Sequence, residues 1–147
     1  MIQHPQQRDR LQQNPALAES AIEELLRYTS PGDIATIRMA RQEVTIGSVT
    51  IPRGEVVLAA LGSANHDESQ FPDPETLDIA REPNRHLAFG QGAHFCLGAP
   101  LARLEGRIAL ATLFRRFPHL RLAQPWETLR WRKSPIFRGL EELPVAF

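Results

Sequence analysis

Residues 89–98 read FGQGAHFCLG and run directly into a segment with helical apolar periodicity. Cys96, the only cysteine of the chain, stands among Gly90, Gly92 and Gly98, with His94 two residues before it. A stretch this rich in glycine reads as an open loop, and the residues after it set that loop against a helix. From Leu97 onward, Leu97, Leu101, Leu104, Ile108, Ala111, Phe114 and Phe117 recur at spacings of four, three, four, three, three and three. This pattern predicts one apolar face of a long helix, stopped by Pro118. Cys96 is thereby placed at a helix N-terminus, where free backbone N–H groups and the positive end of the dipole gather and favour a thiolate.

Several chemistries suit that position. A thiolate is a strong axial ligand for haem iron, glycines let the backbone come close to a bulky planar group, and N–H groups aimed at the sulfur limit its electron donation. A lone cysteine is more often an inert small hydrophobe, but apolar packing does not need three glycines. A phosphate cradle at the helix start lacks a preceding βαβ strand and the Lys and Ser/Thr of a P-loop. A catalytic Cys96–His94 pair is hindered because alternate loop residues seldom bring their side chains into hydrogen-bond reach. Residue spacing alone leaves haem ligation level with these three readings together.

Elsewhere the chain reads as one compact unit. Asn14 can cap a helix and Pro15 fits its first turn; Leu17, Ala21, Leu25 and Tyr28 make an apolar stripe, and Pro31-Gly32 ends it. IATIRMA (34–40) and VTIGSVTI (44–51) read as strands, the second a hairpin around Gly47-Ser48, followed by a turn at 52–54 and the apolar run 56–62. Together they predict a small, largely antiparallel sheet. A short helix is expected near 63–67, within a long proline-rich coil over 63–88 whose Phe71, Leu77 and Ile79 argue for order. The tail, 119–147, reads as short strands and turns, SPIFRGL being its most distinctive piece. Basic and acidic residues balance at 17 each, so no net field draws the chain to nucleic acid or an anionic membrane. One cysteine excludes an internal disulfide and a multi-cysteine zinc site, and suits a reducing cytoplasm. No apolar run approaches the ~20 residues of a membrane helix, and MIQHPQQRDR carries no apolar signal core.

Residues 89–98 resemble the haem-binding loop of the cytochrome P-450 family at Phe89, Gly90, Gly92, His94, Cys96 and Gly98, and APLARLEGRIAL after them resembles the bacterial helix that comes after the ligand. The family more often has arginine at the position of His94, histidine being a bacterial-type variant. Glu24-Leu25-Leu26-Arg27 is similar to the family's Glu-x-x-Arg motif, and Arg81, in LDIARE, stands where the motif's third member belongs. Glu24 and Arg27 share a helix face, and a carboxylate gripped by two guanidiniums could pin the coil 63–88.

The resemblance implies an α+β, mainly α fold over residues 1–147: Glu-x-x-Arg helix, small antiparallel sheet, meander coil, cysteine loop and long following helix. It implies haem b as cofactor, with Cys96 as the iron ligand, His94 and Arg38 on the propionates, and Phe89 shielding the sulfur from water. Glu24, Arg27 and Arg81 take a bracing role, and Ile34, Ala35, Ile136 and Phe137 fall where the family lines its substrate pocket. The implied activity is that of a monooxygenase acting on a small organic substrate, with a ferredoxin-type partner docking near Arg103, Arg107, Arg115 and Arg116. The sequence before the Glu-x-x-Arg helix and the ending GLEELPVAF resemble the carboxyl-terminal portion of the family's domain, and no Ala-Gly-x-Asp/Glu-Thr stretch of its oxygen-activating helix occurs. The expectation is therefore a segment completed on its amino-terminal side, if need be by a separate polypeptide. Two alternatives remain beside it: a truncated, non-catalytic haem-binding or interaction module, and a cysteine-dependent hydrolase.

Overall fold

The computed structural model describes residues 1–134 and 136–147; Pro135, within the SPIFRGL piece, lies outside them. Helix α1 spans Pro5–Gln13, and a 3-10 turn at Pro15–Leu17 leads into α2, Ala18–Thr29. Asn14 does cap, but it caps the 3-10 turn, its Oδ1 accepting from the Ala16 N–H at 3.3 Å. α2 ends when Ser30 enters the left-handed region at φ 39°, before Pro31. The sequence pattern did not reveal α1 because Leu11 is its only apolar residue of any size. Pro5 in its first turn and its run of Gln and Arg were the available signals.

Among the described residues the sheet expected over 34–62 is two separate two-stranded antiparallel ladders, and the tail forms a third. β1 (Arg38–Met39) pairs with β4 (Val56–Val57), β2 (Val44–Ile46) with β3 (Val49–Ile51), and β5 (Arg121–Leu122) with β6 (Val145–Ala146). The hairpin turns at Gly47-Ser48, Gly47 at φ +59°. The strands are shorter than the apolar runs suggested, since 58–62 leaves the ladder and Leu61–Ala64 winds into α3. α4 runs Ala99–Arg116 and stops before Pro118, as its periodicity predicts.

The core joins α1, α2, the coil and α4 through Leu11, Ala18, Ala21, Ile79, Phe114 and Leu120. α4 does not pack with its whole apolar stripe. Phe114 is buried, but Leu97, Leu101, Leu104 and Ile108 are 98%, 58%, 44% and 56% exposed. The face turned toward α2 carries Arg103, which bonds Glu23, and Gly106, which meets Ile22. A Cβ at Gly106 would lie 2.8 Å from Ile22 Cδ1, so the missing side chain is what lets the helices approach. Gly106→Leu is expected to destabilise the protein by about 1–3 kcal/mol in urea unfolding, overpacking outweighing the gain in helix propensity. An unchanged midpoint would show that the two helices are free to separate. Among the described residues no helix is long and apolar enough to cross a membrane.

Candidate functional site

Glu24 and Arg27 are fully buried on α2. Arg27 donates from Nε to Glu24 Oε2 at 2.8 Å and from Nη2 to Oε1 at 2.9 Å. Arg81 donates from Nε to the same Oε1 at 3.1 Å. The carboxylate also accepts the Asp78 N–H and the Asn84 side-chain amide, each at 3.0 Å. Spare guanidinium N–H groups reach coil carbonyls: Arg27 to Asn65 at 2.9 Å, and Arg81 to Pro72, Asp73 and Thr76 at 2.7, 3.2 and 3.0 Å. The coil thus has little secondary structure because its backbone groups are satisfied by side chains instead. Asn65 and Asn84 carried no signal in the sequence. Asn65 is buried, donating to Ser30 Oγ at 3.0 Å and accepting the Leu87 N–H at 2.7 Å, so it ties the coil to the start of the cysteine loop.

The loop is shaped by its own backbone. Gly90 and Gly92 sit at φ +70° and +73°, where a side chain would be strained. Gly90 N–H donates to the Leu87 carbonyl at 2.8 Å, and a 3-10 turn spans Gly92–His94. Cys96 N–H then donates to the Phe89 carbonyl at 2.9 Å, closing the loop two residues before the Gly98 cap of α4. A Cβ on Gly98 would sit 3.8 Å from the Cys96 sulfur. Cys96 and His94 are exposed, and Phe95 and Leu97 beside them are 49% and 98% exposed.

The remaining predicted residues fall in two places. Arg38 is exposed on β1, its guanidinium turned onto the Thr36 carbonyl at 3.0 Å and the Thr36 hydroxyl. Residues 31–33 run beside the tail: Gly32 bridges Phe137, Asp33 N–H donates to the Ile136 carbonyl at 3.1 Å, and Arg138 N–H to that of Pro31 at 2.9 Å, whereas Ile34 bridges Ala60 and the Ala35 N–H donates to the Ala59 carbonyl at 2.9 Å. Ile136 and Phe137 line a depression of about 290 Å³ with Asp33, Trp131 and Arg138. Ile34 and Ala35 are not in that lining.

Arg103 is not the free cation its sequence position suggested. It donates from Nε and Nη2 to the two oxygens of Glu23 at 2.7 and 2.8 Å, and His86 Nε2 meets Glu23 Oε2 at 3.1 Å. Burial pushes Glu23 upward, but the Arg103 fork and charge, with His86, outweigh it and hold the carboxyl below its ordinary 4.5. Burial pushes His86 below its ordinary 6.5 against the pull of Glu23. Both groups therefore bind protons more readily in the unfolded chain, and acid removes stability that is fully present above the unfolded values. The loss begins as pH falls through 6.5, where the unfolded chain protonates His86 and His4 while burial, and for His4 also the amino terminus, holds the folded groups below that value, and it deepens below 4.5 with Glu23. Urea midpoints are expected to fall between about pH 7 and about pH 5, and His86→Phe to make that fall shallower, leaving the part due to His4. A wild-type midpoint constant over the interval contradicts the assignment.

The donor chemistry fits a haem. Among the described residues no group of three His, Cys, Asp or Glu stands together as a metal site, and the single exposed sulfur of Cys96 suits a metal whose other positions are already filled. A porphyrin fills four of them. The open sulfur, the glycines beside it and the exposed apolar side chains of Phe95 and Leu97 suit a flat, largely apolar ring.

A sequence model described as cytochrome P450 matches residues 2–135. The chain is 48% identical over 146 residues to the polyketide biosynthesis cytochrome P450 PksS of Bacillus subtilis (strain 168), covering 99% of this chain and 36% of that protein. It is 47% identical over 145 residues to 6-deoxyerythronolide B hydroxylase of Saccharopolyspora erythraea, with 99% and 36% covered. The solved structure of PksS from Bacillus subtilis 168 superposes with a TM-score of 0.95 at 48% identity, covering 99% of this chain and 37% of that one. The chain thus spans little more than a third of the length of these relatives.

Proposed function

Because the chain belongs to the cytochrome P450 family, we propose that it is the haem-ligating portion of a haem-thiolate monooxygenase, with Cys96 the proximal ligand. The reaction converts an organic substrate R–H, O₂, two electrons and two protons to R–OH and water. One relative is named a hydroxylase and another is named for polyketide biosynthesis, which supports a small organic substrate. Haem b, the cofactor of the family, supplies oxygen activation when bound, and a thiolate ligand assists O–O cleavage by electron donation.

The chain's own residues have simpler tasks. Cys96 donates a sulfur lone pair from a loop whose closure, Cys96 N–H to the Phe89 carbonyl at 2.9 Å, fixes the backbone. Gly90, Gly92 and Gly98 keep side chains away from the ring, and Phe89 is assigned, by its family counterpart, to limiting water at the sulfur when the ring is bound. His94 and Arg38 are assigned to the propionates; both side chains are exposed, and Arg38 would turn its guanidinium from Thr36 to take that role. Glu24, Arg27 and Arg81 hold the coil that presents the loop. Ile136 and Phe137, together with Ile34 and Ala35, are assigned to the substrate side. Arg107, Arg115 and Arg116, exposed on α4, offer cations to an acidic ferredoxin-type partner. The cytoplasm is the compartment proposed for this chemistry.

The observation that carries the reading is a lone exposed sulfur held at the mouth of α4 by a glycine loop. Reduced carbon monoxide difference spectroscopy of the haem-loaded protein tests it. A Soret band at the thiolate–haem position is expected, and a well-folded protein that takes up no haem contradicts it. Oxygen transfer to an organic substrate with peroxide as oxidant then separates the monooxygenase from a non-catalytic haem-binding module.

A further inference from the structure

A second polar cluster adjoins the cysteine loop, built on the residue next to the Glu24 brace. Glu23 comes from α2, His86 from the end of the coil and Arg103 from α4, residues up to 80 positions apart that meet through one carboxylate. The geometry settles the role of each nitrogen of His86. Nδ1 lies 3.1 Å from the Ala88 backbone nitrogen, whose N–H can only donate, so Nδ1 is the acceptor. Nε2 therefore carries the proton and donates to Glu23 Oε2 at 3.1 Å. The imidazole is neutral and held at both ends, with its side chain 3% exposed.

The cluster acts on one aromatic ring. The Arg103 guanidinium lies over Phe89, 4.8 Å from its centroid, while both of its carboxylate-facing nitrogens are engaged by Glu23. The His86 ring stands 6.1 Å from the same ring and Phe95 6.3 Å, the latter edge-on. Phe89 is thus flanked by the cluster and by its own loop. Its carbonyl is the acceptor for the Cys96 N–H. The path from Glu23 to Cys96 is short: carboxylate to guanidinium and imidazole, these to the Phe89 ring, and the Phe89 backbone to the cysteine amide.

We propose that Glu23, His86 and Arg103 are positioning residues for Cys96, holding Phe89 so that its carbonyl keeps the cysteine amide bonded and the sulfur in one orientation. This rests on the reading of Cys96 as the haem ligand. An ordinary half-exposed ion pair contributes little and would be felt nowhere in particular. A positioning cluster is felt at one amide. A planar, forked and stacked cation also differs from a point charge in the same place.

Amide hydrogen exchange followed by NMR on the whole chain, without haem, tests the proposal. Arg103→Met and His86→Phe are each expected to speed exchange of the Cys96 amide roughly tenfold, while amides of α2 around Arg27 keep wild-type rates. Arg103→Lys, which keeps the charge but loses fork and stack, is expected to behave like Arg103→Met, and it decides the matter if the methionine variant does not fold. Unchanged exchange at Cys96, uniform acceleration across α2 and the loop, or full protection restored by lysine each overturn the proposal. Because the readout needs no haem, failure of the chain to bind haem removes the ligand reading and leaves the positioning result standing by itself.

Discussion

Glu24→Ala is expected to lower the unfolding free energy by about 3–5 kcal/mol, a large fraction of what an ordinary domain possesses. The reason is the number of donors left behind. Arg27 is fully buried and would keep its charge with no carboxylate, while Arg81, the Asp78 N–H and the Asn84 amide would lose the same acceptor. Arg27→Lys is no remedy, since one ammonium cannot serve both Glu24 oxygens and the Asn65 and Thr76 carbonyls that the guanidinium reaches. Arg81→Ala costs less, about 1.5–3 kcal/mol, because its side chain lies nearer the surface. Urea unfolding followed by far-ultraviolet circular dichroism measures both. A loss below about 1 kcal/mol for Glu24→Ala, the range of a solvated pair, contradicts the account of the coil.

Cys96→Ala is expected to do the reverse: leave folding intact and remove the haem signature completely. Cys96 is exposed and its backbone bonds survive the substitution, so the thermal midpoint of the haem-free chain should stay where it is. The thiolate-type Soret band of the reduced carbon monoxide complex should vanish, because no second cysteine can replace the sulfur. The two variants therefore divide the molecule into a part that holds shape and a part that holds the metal. A thiolate-type band persisting in Cys96→Ala contradicts that division.

What could be read in the sequence was local. The Gly47-Ser48 hairpin, the end of α4 before Pro118 and the Glu24–Arg27 pair depend on neighbours within a few residues. Arg81 was reachable because the family resemblance supplied a third position. What could not be read is set by distance along the chain. The side of α4 that meets α2 carries Gly106 against Ile22 and Arg103 against Glu23, while the leucine stripe that periodicity pointed to stays largely exposed in a chain spanning little more than a third of its relatives' length. Asn65 and Asn84 look like ordinary loop residues until the coil folds them against Ser30 and Glu24. Arg103 read as a free surface cation because its carboxylate lies 80 positions away. For the two asparagines and Arg103, the deciding contact is one that only the tertiary fold makes.

Iron X-ray absorption on the haem-loaded protein addresses the bond on which the functional reading depends. The account predicts one sulfur among the nearest neighbours of the iron, present in the wild type and gone in Cys96→Ala. A wild-type first shell of nitrogen and oxygen only, or a sulfur that survives the substitution, would contradict it.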